Sequence, residues 1–282
     1  MKASRWILAL LMGVAIVWTF AVPNAVGFPE PKLARIIFFH LPPAFLATGF
    51  FFAAGWFSLK YLRNRLPLND IKAVAAVEIA LLMACQTMAA GIIFSKVQWG
   101  AYWNWDPRQT SFLMVLLMFA SYFALRSAFP DPEKRASIGA GYVLASLLPA
   151  IFLIFVFPRL PMNRDAGSLH PNDTIVSGVA GQQRGDVKVE VIAGDPEKAK
   201  PAMVSEKSQG FDRAHTIGLF GVGILLFTIC LWAFRMRVRA GILEHEAELA
   251  YEGMDDRGRA AITGVVRPIS VHDEGGGPSS ES

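Results

Sequence analysis

Apolar runs of about 20 residues recur along this chain, and that is the length an α-helix needs to cross the hydrocarbon core of a bilayer. Barrel strands would be about half as long and would alternate in polarity, so the runs specify helices. With 53% hydrophobic residues in 282, a soluble two-domain protein is excluded. The reading is an all-α integral membrane protein with about six transmembrane helices, near residues 6–22, 35–59, 73–94, 111–125, 138–157 and 216–234. The first run follows Lys2 and Arg5. It is longer than a signal h-region and has no clean small-x-small cleavage site, so it reads as a retained span.

Charge orients the spans. Lys60, Arg63, Arg65 and Lys72 mark one connection as cytoplasmic, the FPDPEKR segment ending at Arg135 marks a second, and Arg235, Arg237 and Arg239 mark a third. Both termini then lie in the cytoplasm, with residues 99–108 and 158–212 outside. This asymmetry accounts for most of the formal net charge of +4, so no nucleic-acid partner is needed and the surrounding partner is membrane lipid. Residues 1–235 form the six-helix transmembrane domain, including the long external loop at 158–212. Residues 236–282 form a cytoplasmic tail, largely disordered, with a short helical stretch around 242–253. Within the loop, DVKVEVIAG alternates like a strand. Cys85 and Cys230 lie in apolar runs and read as small packing residues. Glu78, inside the third span, reads as one half of a structural pair or as a snorkelling group. His245 and His272 read as exposed tail residues.

One stretch stands apart. Residues 99–108 read WGAYWNWDPR, placing three of the seven tryptophans within seven positions, between two apolar runs. Trp and Tyr collect at the membrane–water boundary, so the segment is an interfacial platform. Gly100 and Pro107 stop it from continuing as helix, while Asp106 and Arg108 are charges that a lipid-facing surface would penalise. An ordinary aromatic belt needs only one or two rings.

WGxYWxWDPR resembles the tryptophan-rich WWD signature of the haem-handling proteins of cytochrome c maturation, the superfamily containing CcmC, CcmF and CcsA. Tyr102, Asn104 and Pro107 are similar to the CcsA form, whereas the short chain with few spans is similar to CcmC. The segment RIIFFHLPP, with His40 ahead of Pro42 and Pro43, resembles the CcmC segment that carries an axial haem ligand. His170, in Ser-Leu-His-Pro within the loop, matches the place where CcmC-like proteins carry a second haem histidine. His215, fixed at a helix start, is its competitor.

The resemblance implies haem b as the cofactor, with His40 and His170 as axial ligands of the iron. Trp99, Gly100, Tyr102, Trp103, Trp105, Asp106 and Arg108 would form the cofactor-binding platform. Two imidazoles from separate segments suit a low-spin iron, and flat rings suit a porphyrin. Arg35 and Arg108 are the cations placed to meet the propionates. The chain has no CxxCH haem-attachment site, so it is not itself a c-type cytochrome. It has no P-loop either, so any ATP use belongs to a partner. The implied function is to bind haem at the outer face of the bacterial cytoplasmic membrane and deliver it to a haem chaperone of the CcmE type, alongside ABC subunits of the CcmA and CcmB type. This is delivery rather than catalysis by an acid, base or nucleophile. A CcsA-like haem transporter and cytochrome c synthase subunit is one alternative. A haem-free permease or assembly scaffold is another.

Overall fold

A computed structural model describes residues 2–24, 30–161, 163 and 213–252. Among them there is no strand, and six α-helices carry the architecture: α1 (Lys2–Ala21), α2 (Ile37–Asn64), α3 (Pro67–Trp99), α4 (Pro107–Ser127), α5 (Pro132–Ile151) and α6 (Arg213–Glu252). A 3-10 turn, Leu33–Ile36, leads into α2. α5 runs on as a π-helical turn, Phe152–Val156, and a 3-10 turn, Phe157–Arg159. This loosening falls between Pro149 and Pro158, each of which withholds the N–H that a regular ladder requires. Among the described residues, five helical stretches are long and apolar enough to span a membrane, and Trp6–Ala21 is a shorter apolar helix. The expectation of an all-α multi-pass membrane protein is met.

The helix limits follow from local chemistry. Asp106 and Asp131 each precede a proline, and each caps the helix that the proline begins. Asp106 accepts from the backbone N–H of Arg108 at 2.8 Å, and Asp131 from that of Lys134 at 2.9 Å. At the turn between α2 and α3, Arg65 takes a left-handed conformation (φ 56°) while its N–H closes on the Tyr61 carbonyl at 2.7 Å. Pro42 and Pro43 would be expected to loosen a helix at this point, since neither offers a backbone N–H. The helix instead runs through them, and both are buried in its first turns.

Residues Met1–Val238 form one compact unit and Arg239–Ser282 a second. In the first, α2 and α3 pack against each other along their length, with α4 and α5 beside them. Small residues make the approach possible. Ala76, Ala80 and Ala84 of α3 share one buried cluster with Ala47 and Ala54 of α2. Phe51 meets Phe119 of α4 at a centroid distance of 4.3 Å, and Val143 of α5 and Cys230 of α6 complete the cluster. Cys85, expected to be a packing residue, is exposed instead. Large apolar side chains such as Leu10, Val17, Phe45, Leu117 and Phe220 face outward, a surface suited to lipid.

Ion pairs tie the helices. Glu78 of α3 meets Arg237 of α6 at 2.7 Å, which makes it the structural pair expected of it. Asp70 of α3 receives Arg126 of α4 through two parallel bonds of 2.7 and 2.8 Å, and the guanidinium also lies 5.6 Å from the Tyr122 ring centre. A planar fork on a carboxylate, nearly withdrawn from solvent, is the strong form of this contact. Arg126→Ala is expected to lower stability in detergent by about 3 kcal/mol, because it strands Asp70. Asp70→Ala in the same background should cost little more, and a double-mutant cycle followed by thermal unfolding checks this.

The spans run longer than hydropathy alone implies. α3 reaches Trp99 rather than ending near 94. α6 continues through Glu252, so the helical stretch expected around 242–253 is the same helix as the last span. The sequence AGILEHEAELAYE is rich in strong helix formers and has no proline to stop it. In the second unit His245 is half-buried rather than exposed. His170, His272 and the alternating DVKVEVIAG lie outside the described residues.

Candidate functional site

The tryptophan segment is a shaped turn held by its own polar side chains. Gly100 ends α3 in the left-handed region (φ 82°), where a β-carbon would be strained, and its N–H bonds the Lys96 carbonyl at 3.1 Å. The Asn104 side chain donates to Ser95 Oγ at 2.6 Å, and Ser95 donates to the Ala101 carbonyl at 2.8 Å. Gln109 donates to the Tyr102 carbonyl at 3.0 Å and accepts from the Asn104 N–H at 3.3 Å. Lys96 binds the Gly100 carbonyl at 2.8 Å, with its ammonium 5.4 Å from the Tyr102 ring centre. Asp106 is buried as the cap of α4. In this segment the polar residues build the turn and the rings are its outward product.

Those rings are arranged openly. Trp105 is 77% exposed and Tyr102 60%. Trp103 meets Trp105 edge to face, with centroids 5.9 Å apart and an interplanar angle of 88°. Trp99 packs edge-on against Phe94 at 5.5 Å. Trp105 itself sits at φ 55°, a conformation that costs a bulky L-residue roughly 1–2 kcal/mol. Such strain persists only where the surroundings enforce it.

His40 lies deeper than the platform. Its Nδ1 is 2.9 Å from the Thr87 carbonyl of α3, and Thr87 precedes Trp99 by 12 residues, or about 18 Å of helix. The descent is fixed by a clamp at the rim: the buried Gln98 amide accepts from the Glu30 N–H and donates to the Glu30 carbonyl, both at 3.0 Å. The chain therefore enters beside Gln98 and reaches His40 only after the 3-10 turn and the first turn of α2.

His215 occupies a different environment. It is 3% exposed, and its ring lies parallel to Phe38, at 4° and a centroid distance of 6.1 Å. Phe38 and His40 are two residues apart on α2, so they leave opposite sides of the helix. Arg35 donates to the Val22 carbonyl at 2.9 Å and to Asn24 Oδ1 at 3.1 Å, so it braces the end of α1. Arg108 is half-buried, within the electrostatic reach of Asp106 and of Arg159.

Sequence reading missed Thr87, Gly91, Ser95 and Gln98. Their signal was present: small or polar residues at i, i+4, i+8 and i+11 form one stripe along the otherwise apolar α3. Thr87, Ser95 and Gln98 are all buried, and each has a hydrogen-bond partner.

A chain from Paracoccus denitrificans described as heme exporter protein C is 32% identical over 123 residues, covering 44% of this chain and 50% of that one. Its counterpart from Rhodobacter capsulatus is 32% identical over 154 residues, covering 52% and 62%. That from Escherichia coli K12 is 25% identical over 135 residues, covering 48% and 54%. The chain thus spans about half the length of the curated relatives it matches. The family profile CcmC, described as heme exporter protein C, matches residues 1–156, which takes in α1 through α5, His40 and the whole tryptophan turn. That match covers more than half of the chain and decides between the CcmC and CcsA forms that the tryptophan motif left open: this chain belongs to the CcmC family.

Proposed function

We propose that this protein binds haem at the outer face of the cytoplasmic membrane and passes it on during cytochrome c maturation. The observation that carries the reading is the pairing of an oriented imidazole, His40, with a rim of exposed aromatic rings held by a dedicated polar network. Within the CcmC family, such a site suits a porphyrin. Haem here is cargo: the iron takes an imidazole, the ring meets aromatic edges, and the propionates meet guanidinium groups. His40 supplies one axial ligand, and His170, from the loop between the last two spans, supplies the other. Arg35 and Arg108 are the cations for the propionates. Trp99, Tyr102, Trp103 and Trp105 form the aromatic rim, with Gly100 and Asp106 shaping it. A ligand on a loop allows release by local opening rather than by bending a helix.

The cargo is haem b, held without a covalent bond. The recipient is a haem chaperone of the CcmE type, and ABC subunits of the CcmA and CcmB type supply the ATP-driven step. The absorption spectrum of detergent-purified protein, before and after haem addition, tests the reading. A six-coordinate low-spin spectrum is expected. A protein that takes up no haem would be a scaffold instead, and haem held without nitrogenous ligation would remove His40 and His170 as its ligands.

This role requires the site to face outward, with both termini cytoplasmic. The clusters Lys60 to Lys72, Arg126 to Arg135 and Arg235 to Arg239 support that orientation. A single cysteine at position 185 should react with an impermeant reagent added to intact cells, and one at position 64 should react only after lysis. The reverse pattern would invert the topology and remove the proposal.

A further inference from the structure

A neutral imidazole can ligate iron through either nitrogen, and which one is used depends on what the other bonds. At His40 the partner is a backbone carbonyl. Thr87 O can only accept, so this contact calls for a proton on Nδ1, and in the neutral ring the lone pair is then carried by Nε2. This raises a structural question, because Thr87 lies within a continuous helix. Its carbonyl is already directed at the N–H four residues on, at Gly91, and helical side chains lean towards the N-terminus and cover the turn that precedes them. Any side chain at position 91 would shield the carbonyl at position 87.

Position 91 is glycine. A β-carbon built there would lie 2.8 Å from His40 Cε1, 3.2 Å from Nδ1 and 3.9 Å from Nε2. Real atoms do not approach at the first of these distances, so an alanine would force the ring away. The edge of the imidazole that faces α3 is the Cε1–Nδ1 edge, with Nε2 the most distant of the three atoms. The Thr87 hydroxyl is turned back to the Met83 carbonyl at 2.8 Å, which leaves its own carbonyl open to the imidazole.

We propose that Gly91 is the positioning residue for His40: by lacking a side chain it exposes the Thr87 carbonyl to Nδ1–H, which fixes the tautomer and directs Nε2 to the haem iron. The iron-ligand part of this statement rests on the function proposed above, whereas the tautomer and its dependence on Gly91 do not. The carbonyl bond also raises the basicity of the ligating nitrogen, as partners of metal-bound histidines do.

The test begins without haem. In haem-free protein carrying 15N-labelled histidine, reconstituted in lipid at neutral pH, the His40 resonances are assigned as those lost in His40→Ala. The parent should show protonated Nδ1 and unprotonated Nε2. In Gly91→Ala that pattern should be lost, while Gly49→Ala, where a β-carbon meets nothing within 4 Å, should keep it. A parent with its proton on Nε2, or a Gly91→Ala variant with the parent pattern, overturns the proposal. Should Gly91→Ala fail to accumulate, the tautomer of the parent alone still decides the first point.

With haem added, Gly91→Ala should lose most of the low-spin signal and regain it with free imidazole. An unchanged spectrum and midpoint potential in that variant overturn the directing role. If the tautomer result holds while His40→Ala leaves the haem spectrum intact, the fault lies in the assignment of His40 as ligand and not in the cradle that holds it.

Discussion

His40→Ala is expected to abolish the six-coordinate low-spin spectrum of added haem and to weaken haem binding by more than roughly 100-fold, since loss of an orienting partner alone costs 10–100-fold at metal sites. Free imidazole should restore the spectrum by occupying the vacated position. His170→Ala should behave in the same way, because the second imidazole must reach the opposite face of the porphyrin. His215→Ala should leave the spectrum unchanged and act on stability instead. His215 is 3% exposed and lies flat against Phe38, so its removal opens a gap between α2 and α6, a change that thermal unfolding would register. Loss of the low-spin signal in His215→Ala, with His170→Ala behaving like the parent, would move the second ligand to His215 and end the argument for release by a loop.

Trp103→Ala and Trp105→Ala are each expected to reduce haem affinity by roughly fivefold, the equivalent of about 1 kcal/mol for an aromatic contact, without preventing membrane insertion. The Trp105 position offers a sharper comparison. At φ 55° glycine is at ease and alanine is not, so Trp105→Gly should exceed Trp105→Ala in thermal stability by about 1 kcal/mol while losing just as much haem affinity. That outcome would show an aromatic ring retained against the preference of its own backbone, as expected where the ring serves a ligand. If both variants keep parental haem affinity and differ only in yield, the rings are a membrane belt.

The polar residues of the turn predict the opposite division. Asn104, Ser95 and Gln109 bond to one another and to the backbone and present no surface comparable to Trp105. Their substitution would act through the shape of the turn, and hence on all the rings together.

The sequence by itself determined the class of fold. Apolar length, proline and charge are local properties, and a bilayer imposes helices on any chain that carries them. For the same reason the ends of α4 and α5 were legible: an Asp-Pro pair caps and starts a helix whatever surrounds it. The rarity of clustered tryptophan made the platform legible as well, and the need of an intramembrane carboxylate for a partner made Glu78 legible as one half of a pair, though not Arg237 as the other. What only the tertiary structure decided is depth, partner and edge. His40 stands below the rim because Gln98 clamps residue 30 and the helix starts late, a distance set by contacts 68 residues apart. Asp106 is a helix cap, and Arg35 is a brace at the end of α1, because neighbouring backbone groups reach them first. The role of Gly91 depends on an imidazole from another helix arriving at one exposed carbonyl. A helical stripe in the sequence hints that such a face exists, but only the packing of α2 on α3 determines what meets it.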